Sequence, residues 1–204
     1  MGDKLSYPLW KRLIDITGSI AGIAVSLPFL PFIALAIKID TPGPVFEKLD
    51  RISSGRVIKV YKFRSMVKDA RSKKAELEPL NERNDGIFFK MKNDPRVTRS
   101  GRVIRRFRVD EIPQFINVLK GEMAIVGPRP HEPEEVAKYP REFGHISDAR
   151  AGITGVSQVS GASSLKWLEE LTLDDLYVKN RSFGLDIWVI WKTIDIFFSD
   201  PTGV

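Results

Sequence analysis

Asp110 and Glu111 stand side by side at the head of an apolar stripe, Ile112, Phe115, Ile116 and Leu119, whose spacing of i, i+3, i+4 and i+7 predicts a helix. On a helix, adjacent side chains project about 100° apart, so these two carboxyls are poorly placed to share one proton and well placed for separate tasks. One can attack an electrophile while the other binds a hard cation. A helix start also offers unpaired backbone donors and the positive end of the dipole, which favour a diphosphate there. A plainer reading fits the same residues: Asp110 is an N-cap, Glu111 a favourable first-turn acid, and the neighbouring arginines, taken singly, are solvated charges.

Composition removes several other chemistries. With no cysteine, disulfides, thiol catalysis and thiolate metal sites are excluded, so a bound metal needs oxygen ligands. His131 and His145 do not form a metal-binding helical pair, which argues against zinc hydrolase chemistry. The net charge of +6 favours an anionic partner: nucleic acid, an anionic membrane surface or a phosphorylated substrate.

The elements that carry the acidic pair begin with an uncharged run, Ile16 to Ile37. At ~1.5 Å rise per residue it is long enough, as a helix, to cross a hydrocarbon core of ~30 Å. Pro28 and Pro31 each remove a backbone donor and clash one turn back, so a bend is expected near its middle. Lys4, Lys11 and Arg12 precede the run, and Lys38, Lys48, Arg51, Arg56 and Lys59 follow it, so both flanks prefer the cytoplasm. A re-entrant helix satisfies both flanks. A cleaved signal peptide, a simple spanning helix and a buried core helix are the alternatives.

Thr41-Pro42-Gly43-Pro44 ends the anchor with turn chemistry, and Val45 to Phe63 reads as a hairpin turning at Ser53-Ser54-Gly55. Val57 to Phe63 is rich in β-branched and aromatic residues, which suits a strand. Met66 to Leu80 reads as helical, and Asn81 to Asp94 as a loop. Asp110 is placed as N-cap of the next helix, Pro113 in its first turn, and Gly121 at its end. Met123 to Val126 reads as a short strand entering the Gly127-Pro128-Arg129-Pro130 turn. Phe183 to Phe198, with Trp188 and Trp191, reads as an amphipathic helix at the lipid headgroup level or as a core-packing terminal helix.

Four ordered blocks resemble the bacterial sugar transferase family, the monotopic phosphoglycosyl transferases. They are Lys62-Phe63-Arg64-Ser65-Met66; Asp94-Pro95-Arg96-Val97-Thr98 with Gly101-Arg102; Asp110-Glu111-Ile112-Pro113-Gln114 through Asn117-Val118-Leu119-Lys120-Gly121 to Val126-Gly127-Pro128-Arg129-Pro130; and Gly152-Ile153-Thr154-Gly155 with Gln158-Val159. The similarity runs from Trp10-Lys11-Arg12 through Ile194. It implies an α+β fold: a mostly helical small globular catalytic domain with a short β-hairpin over 41–204, joined to an N-terminal proline-kinked re-entrant membrane helix over 1–40, with interfacial amphipathic helices. It further implies that Asp110 attacks the β-phosphate of a UDP-sugar, expels UMP and passes the sugar phosphate to polyprenyl phosphate, starting glycoconjugate assembly such as exopolysaccharide or lipopolysaccharide. By the same match, Glu111 with Asp110 positions Mg²⁺. Arg105 and Arg129 hold phosphate oxygens, and Lys62, Arg64 and Arg150 stand around the nucleotide diphosphate. The expected setting is the cytoplasmic face of the bacterial inner membrane, among membrane lipids, with self-association left open. Arg108-Val109, Glu122 and Ala151 depart from the family's usual residues without removing a proposed catalytic group. Asp174, Asp175 and Asp186 read as structural carboxylates.

Three rival readings remain at this level. One is a membrane-tethered, non-enzymatic binder of nucleic acid or another anionic ligand, which the place of Phe115 on the apolar helical stripe opposes. Another is a membrane scaffold. The third is an enzyme that transfers the sugar directly and releases the nucleoside diphosphate.

Overall fold

In a computed structural model of the protein, residues 7–82, 89, 91, 93–161 and 164–199 are described. The chain begins with α1 (Leu9–Ser26), a 3₁₀ turn (Leu27–Phe29) and α2 (Leu30–Asp40), together a 32-residue helical run long and apolar enough to cross a membrane. Pro28 and Pro31 each lie in the first turn of their own element, where the missing donor is tolerated, and the α-helical ladder gives way to 3₁₀ geometry between them.

The polarity of α1 is inverted relative to a helix of a water-soluble protein. Its buried residues are Lys11, Asp15, Ser19 and Ser26, a polar stripe, while Leu9, Leu13, Ile20 and Val25 are exposed. In α2, Phe32, Leu35 and Ile39 are likewise exposed. The polar stripe docks on the body. Lys11 donates to Val126 O (2.8 Å) and Asp186 Oδ2 (2.5 Å), and Asp15 accepts from Ile125 N (2.8 Å) and from the Tyr7 hydroxyl. At the other end, Ile37 is buried with Phe63 and Ile104, and Asp40 accepts from Ser100 N (2.7 Å) and Oγ (2.8 Å). Both ends of the helical run are therefore fastened to the same body.

Next comes the hairpin β1 (Phe46–Ser53) and β2 (Arg56–Phe63), antiparallel with Ser53 opposite Arg56 and Phe46 opposite Phe63. The turn is Ser54-Gly55, both with positive φ (54° and 69°), the geometry of a two-residue type I′ loop. Ser53 is not in the turn as expected. It ends β1, buried, with its hydroxyl bonded to Glu122 O at 2.6 Å. The segment expected to be helical from Met66 to Leu80 holds only α3 (Lys74–Leu77) and a 3₁₀ turn (Glu78–Leu80). It has no apolar stripe to bury, so turns through Val67–Asp69–Arg71 carry most of it. The expected loop Asn81 to Asp94 lies mostly outside the described residues.

Then follow α4 (Arg99–Arg106), capped by the Thr98 hydroxyl accepting from Gly101 N at 2.9 Å, and a 3₁₀ turn (Val109–Glu111). α5 (Gln114–Leu119) ends before Gly121, whose φ of 78° stops the helix. β3 (Ala124–Val126) pairs in parallel with β4 (Gly152–Thr154), and α6 (Pro133–Val136) and a 3₁₀ stretch (Arg141–Asp148) lie between them. The chain closes with α7 (Val156–Val159), α8 (Trp167–Asn180) and α9 (Phe183–Ser199). One core joins Val126, Val156, Tyr177, Val178 and Val189; a second joins Ile58 and Val60 of β2 to Val118 and Met123. α9 buries Asp186 and Val189 and exposes Phe183, Trp188, Trp191 and Phe198. The architecture is α+β, mostly helical, as the resemblance implies; the parallel β3–β4 pair has no counterpart in the sequence reading.

α4 supplies a test of this packing. Alanine in a helix is ordinarily favoured over glycine by ~1 kcal/mol. At Gly101, however, a Cβ would come within 1.9 Å of the Ser65 carbonyl oxygen, backbone that has no rotamer to escape into. Gly101→Ala is expected to destabilise the protein by about 1–3 kcal/mol, the usual range for overpacking, measured by chemical denaturation in detergent.

Candidate functional site

The period-two alternation of β2 decides where Lys62 points. Ile58 and Val60 face the core under α5, and Lys62 is next on the same face, arriving beside the 3₁₀ turn that carries the acidic pair. Its ammonium donates to Glu111 Oε1 at 2.6 Å and lies 3.4 Å from Asp110 Oδ2. Arg105, on the last turn of α4, acts electrostatically on Asp110, and Arg129 and Arg108 act on Glu111. Burial pushes the Asp110 carboxyl above its usual range; Lys62 and Arg105 oppose that shift and Glu111 adds to it. Burial also disfavours charge on Glu111, but Lys62, then Arg129 and Arg108, outweigh it and hold Glu111 below its usual range. Lys62 stays above the ordinary lysine value because the two carboxylates outweigh its own desolvation. Two adjacent acids are thus driven apart in acidity, the arrangement that separates a nucleophile or base from a permanent anion. Four cations surrounding two carboxylates leave an excess of positive charge suited to a diphosphate.

The acidic pair does not cap a helix. Asp110 was expected as the N-cap of the following helix, but it lies inside the 3₁₀ turn, α5 starts only after Pro113, and Arg108 takes the cap position of the turn in a left-handed conformation (φ 49°). The reversal at Arg108 brings the turn back toward β2, and without it the carboxyls would continue the line of α4.

Several residues hold this geometry. Asn117, fully buried in α5, accepts from Tyr61 N (3.0 Å) and donates to Lys59 O (2.8 Å) and Glu122 Oε2 (2.6 Å). It clamps the helix that follows the acidic pair to the strand that delivers Lys62. Arg12 of α1 donates to Val118 O and Leu119 O, both at 2.7 Å, closing the far end of α5. Arg129 is set by its backbone, donating to Asp174 Oδ2 (3.0 Å), and by its guanidinium, 3.5 Å from Glu170 Oε1. Asp174 is buried, which raises its pKa to about 6, and it also accepts from Ser157 Oγ at 2.7 Å.

The structure brings Lys62, Arg105, Asp110, Glu111 and Arg129 together. It places Arg64 and Arg150 elsewhere. Arg64 is buried, and its guanidinium donates to Thr41 O (2.7 Å) and Pro42 O (2.8 Å), locking the junction between anchor and hairpin. Arg150 stacks 3.7 Å over the Tyr7 ring near Asp15, at the base of α1. Neither faces the acidic pair: the Arg64 guanidinium is turned to the Thr41 and Pro42 carbonyls and that of Arg150 to the Tyr7 ring. Lys11 and Arg12, counted above as flanking charges, are also inside the protein. Asp174 and Asp186 are buried structural carboxylates, and Asp175 pairs with His145 (2.7 Å) and Lys179 (2.6 Å). Sequence reasoning missed Asn117, Arg12 and Glu170 as supports. An asparagine in the middle of an apolar helix was the one signal available for the first. Among the described residues no group of three or more His, Asp or Glu side chains is placed to hold a metal ion.

The family description "Bacterial sugar transferase" matches residues 6–200. The chain belongs to the bacterial sugar transferase family. Relatives include the UDP-galactose-lipid carrier transferase of Erwinia amylovora, 37% identical over 198 residues, which cover 95% of this chain and 41% of that protein. The undecaprenyl-phosphate galactose phosphotransferase of Salmonella typhimurium is 36% identical over 197 residues, covering 95% and 41%. The exopolysaccharide production protein PSS of Rhizobium leguminosarum is 38% identical over 199 residues, covering 90% and 92%. The chain thus spans about two-fifths of the first two relatives and nearly all of the third. In this member of the family, two of the four sequence blocks contribute side chains to the cluster, Lys62 from the first and Asp110, Glu111 and Arg129 from the third, while Ser157, between the two parts of the fourth, bonds Asp174, which holds the Arg129 backbone.

The opposed acidities are directly measurable. Carboxyl ¹³C titration, with the Asp110 signal assigned by difference against Asp110→Asn, should place Asp110 above and Glu111 below an ordinary carboxyl. Lys62 lowers both, so Lys62→Met should move both midpoints to higher pH. Midpoints that stay in place would show that Lys62 does not set the electrostatics of the pair.

Proposed function

We propose that the protein is a membrane-anchored phosphoglycosyl transferase that moves a sugar 1-phosphate from a UDP-sugar to polyprenyl phosphate, undecaprenyl phosphate in bacteria, and so begins glycoconjugate assembly. The observation that carries the reading is the acidic pair held under Lys62 and ringed by Arg105 and Arg129 in the body to which an apolar anchor is fastened at both ends. The names of the Erwinia and Salmonella relatives, a UDP-galactose-lipid carrier transferase and an undecaprenyl-phosphate galactose phosphotransferase, support the same donor and acceptor classes.

In this reading the Asp110 carboxylate attacks the β-phosphorus of the donor, an Asp–phosphate bond forms, and the bond to the bridging oxygen breaks with UMP as leaving group. A phosphate oxygen of the polyprenyl acceptor then attacks the same phosphorus, forms the lipid diphosphate sugar and returns the carboxylate of Asp110. The raised pKa of Asp110 makes its ionised form a better nucleophile than an ordinary carboxylate. Arg105 and Arg129 orient phosphate oxygens through bidentate donors, and Lys62 neutralises charge gathering between the carboxylates and the diphosphate. Asp110 and Glu111 are hard oxygen ligands that fit Mg²⁺, which as a rule binds through one or two carboxylates plus substrate phosphates. When bound there, Mg²⁺ supplies Lewis-acid neutralisation of the diphosphate.

The helical run Leu9–Asp40, in an anchor over 1–40, is proposed to enter and leave the same leaflet, with 41–204 on the cytoplasmic face of the inner membrane. Its support is the fastening of Lys11 and Asp40 to one body, whereas a straight span would carry one end ~30 Å away. The exposed aromatic face of α9 would settle at the headgroups.

The decisive assay uses the full chain in nanodiscs with Mg²⁺ and a panel of UDP-sugars, with and without polyprenyl phosphate. UMP should be released catalytically with the lipid and as a near-stoichiometric burst without it, and Asp110→Asn should lower turnover by roughly a thousandfold or more. Release of UDP would establish direct sugar transfer instead, and normal turnover by Asp110→Asn would overturn the covalent step.

A further inference from the structure

α4 carries a surface that the proposed chemistry does not use. At about 100° per residue, Arg99, Arg102, Val103 and Arg106 fall on one face, while Gly101 and Ile104 lie buried on the other. Arg105 stands to one side, toward Asp110. The three arginines of the outer face are exposed, Val103 is 59% exposed between them, and Phe107 follows at 40%. Among the described residues none of Arg99, Arg102 and Arg106 has a carboxylate within salt-bridge distance; Arg106 lies 5.8 Å from the Phe107 ring. Asp40, the acid that feels Arg99, already accepts from Ser100 N and Oγ.

We infer that this outer face of α4 docks the headgroups of anionic phospholipids. The inference rests on the membrane-anchored reading above and adds a lipid class and a set of residues to it. Position is the first argument. The start of α4 is bonded to Asp40, the last residue of α2, and the two helices pack together. The outward residues of α2 are apolar and exposed up to Ile39, and Lys38 beside it is exposed as well. An apolar helix that ends in a cation ends at headgroup level, and Asp40 holds α4 at that level. Chemistry is the second argument. Three guanidiniums present forked donors that match phosphodiester oxygens, and Val103 and Phe107 between and beside them offer apolar surface to the boundary between headgroups and acyl chains. An acidic protein would use the charges but not the position at the anchor's exit.

The test reconstitutes the full chain into nanodiscs of equal phosphatidylcholine and phosphatidylglycerol, recovers it in mild detergent and counts retained lipids by mass spectrometry. Hydrogen exchange of the α4 amides is followed in the mixed discs and in discs of phosphatidylcholine alone. The native chain should retain phosphatidylglycerol preferentially and protect α4 more in the mixed discs. Replacing Arg99, Arg102 and Arg106 together by Gln should lower the enrichment by at least about fivefold, the weight of roughly one juxtamembrane charge. Arg102→Glu, a single reversal on an exposed residue, should lower it in the same direction and serves if the triple variant folds poorly. A charge-matched control replaces the exposed Arg56, Lys138 and Arg141 by Gln. Unchanged enrichment in the α4 variants, an equal loss in the control, or equal α4 protection in both disc types would overturn the inference. No nucleotide sugar enters this experiment, so a chain that selects phosphatidylglycerol yet releases no UMP would sustain the surface while ending the proposed reaction. A chain that fails to enter discs at all would end both.

Discussion

Where α1 meets α9, a lysine and an aspartate are withdrawn from water together. Lys11 and Asp186 are almost wholly buried, and the ammonium also reaches Val126 O, while the Tyr177 hydroxyl donates to Asp186 Oδ1 (2.8 Å) and lies 3.0 Å from the same carbonyl. A buried ion pair adds little net stability, because desolvation offsets attraction, but removing one partner leaves the other charged and stranded at about 3–5 kcal/mol. Its value lies in specificity. With Asp15 on Ile125 N and Arg12 on the end of α5, it fixes which face of α1 turns inward and so leaves the apolar face outward. An N-terminal helix packed by its leucines would have no reason to expose them, and the apolar outward face that the proposed membrane attachment needs would be lost with the orientation.

The same docking reaches the chemistry by a short route. Arg12 closes the C-terminal end of α5, Asn117 ties the middle of α5 to β2, and the turn ahead of α5 carries Asp110 and Glu111 opposite Lys62. Each contact is made by a polar group in an apolar setting, where an unmade bond costs about 1–3 kcal/mol, so the chain has few alternative arrangements in which all are satisfied. The acidic pair inherits that rigidity. One consequence is that Lys62 can bind tightly to Glu111 and still leave Asp110 at 3.4 Å, close enough to feel the charge without being held by it as closely.

How much of this could be read in advance depended on whether a signal was local. The hairpin, the helix ended by Gly121, the strand at Ala124 and the amphipathic α9 each carry a period or a turn residue in their own sequence, and each was found. Failures came where a remote partner decided the outcome. β4 is three residues, Gly152 to Thr154, with no alternation to see, and it is a strand because β3 lies beside it. Arg64 and Arg150 share their residue type with Arg105 and Arg129, and only the tertiary fold separates guanidiniums that face carbonyls and a tyrosine ring from those that face the acids. Asp110 was misplaced as a cap, since the left-handed turn at Arg108 has no glycine to announce it. The family blocks marked Lys62, the acidic pair and Arg129, which the fold gathers; the residues that brace that cluster, Asn117, Arg12 and Glu170, have no marking of their own beyond polarity in an apolar context.

The junction after the anchor is closed on all sides. Gly43 has a φ of 131°, and a Cβ there would come within 2.0 Å of Arg64 Nη1, which donates to Pro42 O while Nη2 donates to Thr41 O. The joint is an elbow cast around one arginine rather than a tether. As a unit of exchange between relatives, the helical run therefore does not end at residue 40: a graft cut there would pair one protein's turn with another's arginine, so the turn and Arg64 have to come from the same protein.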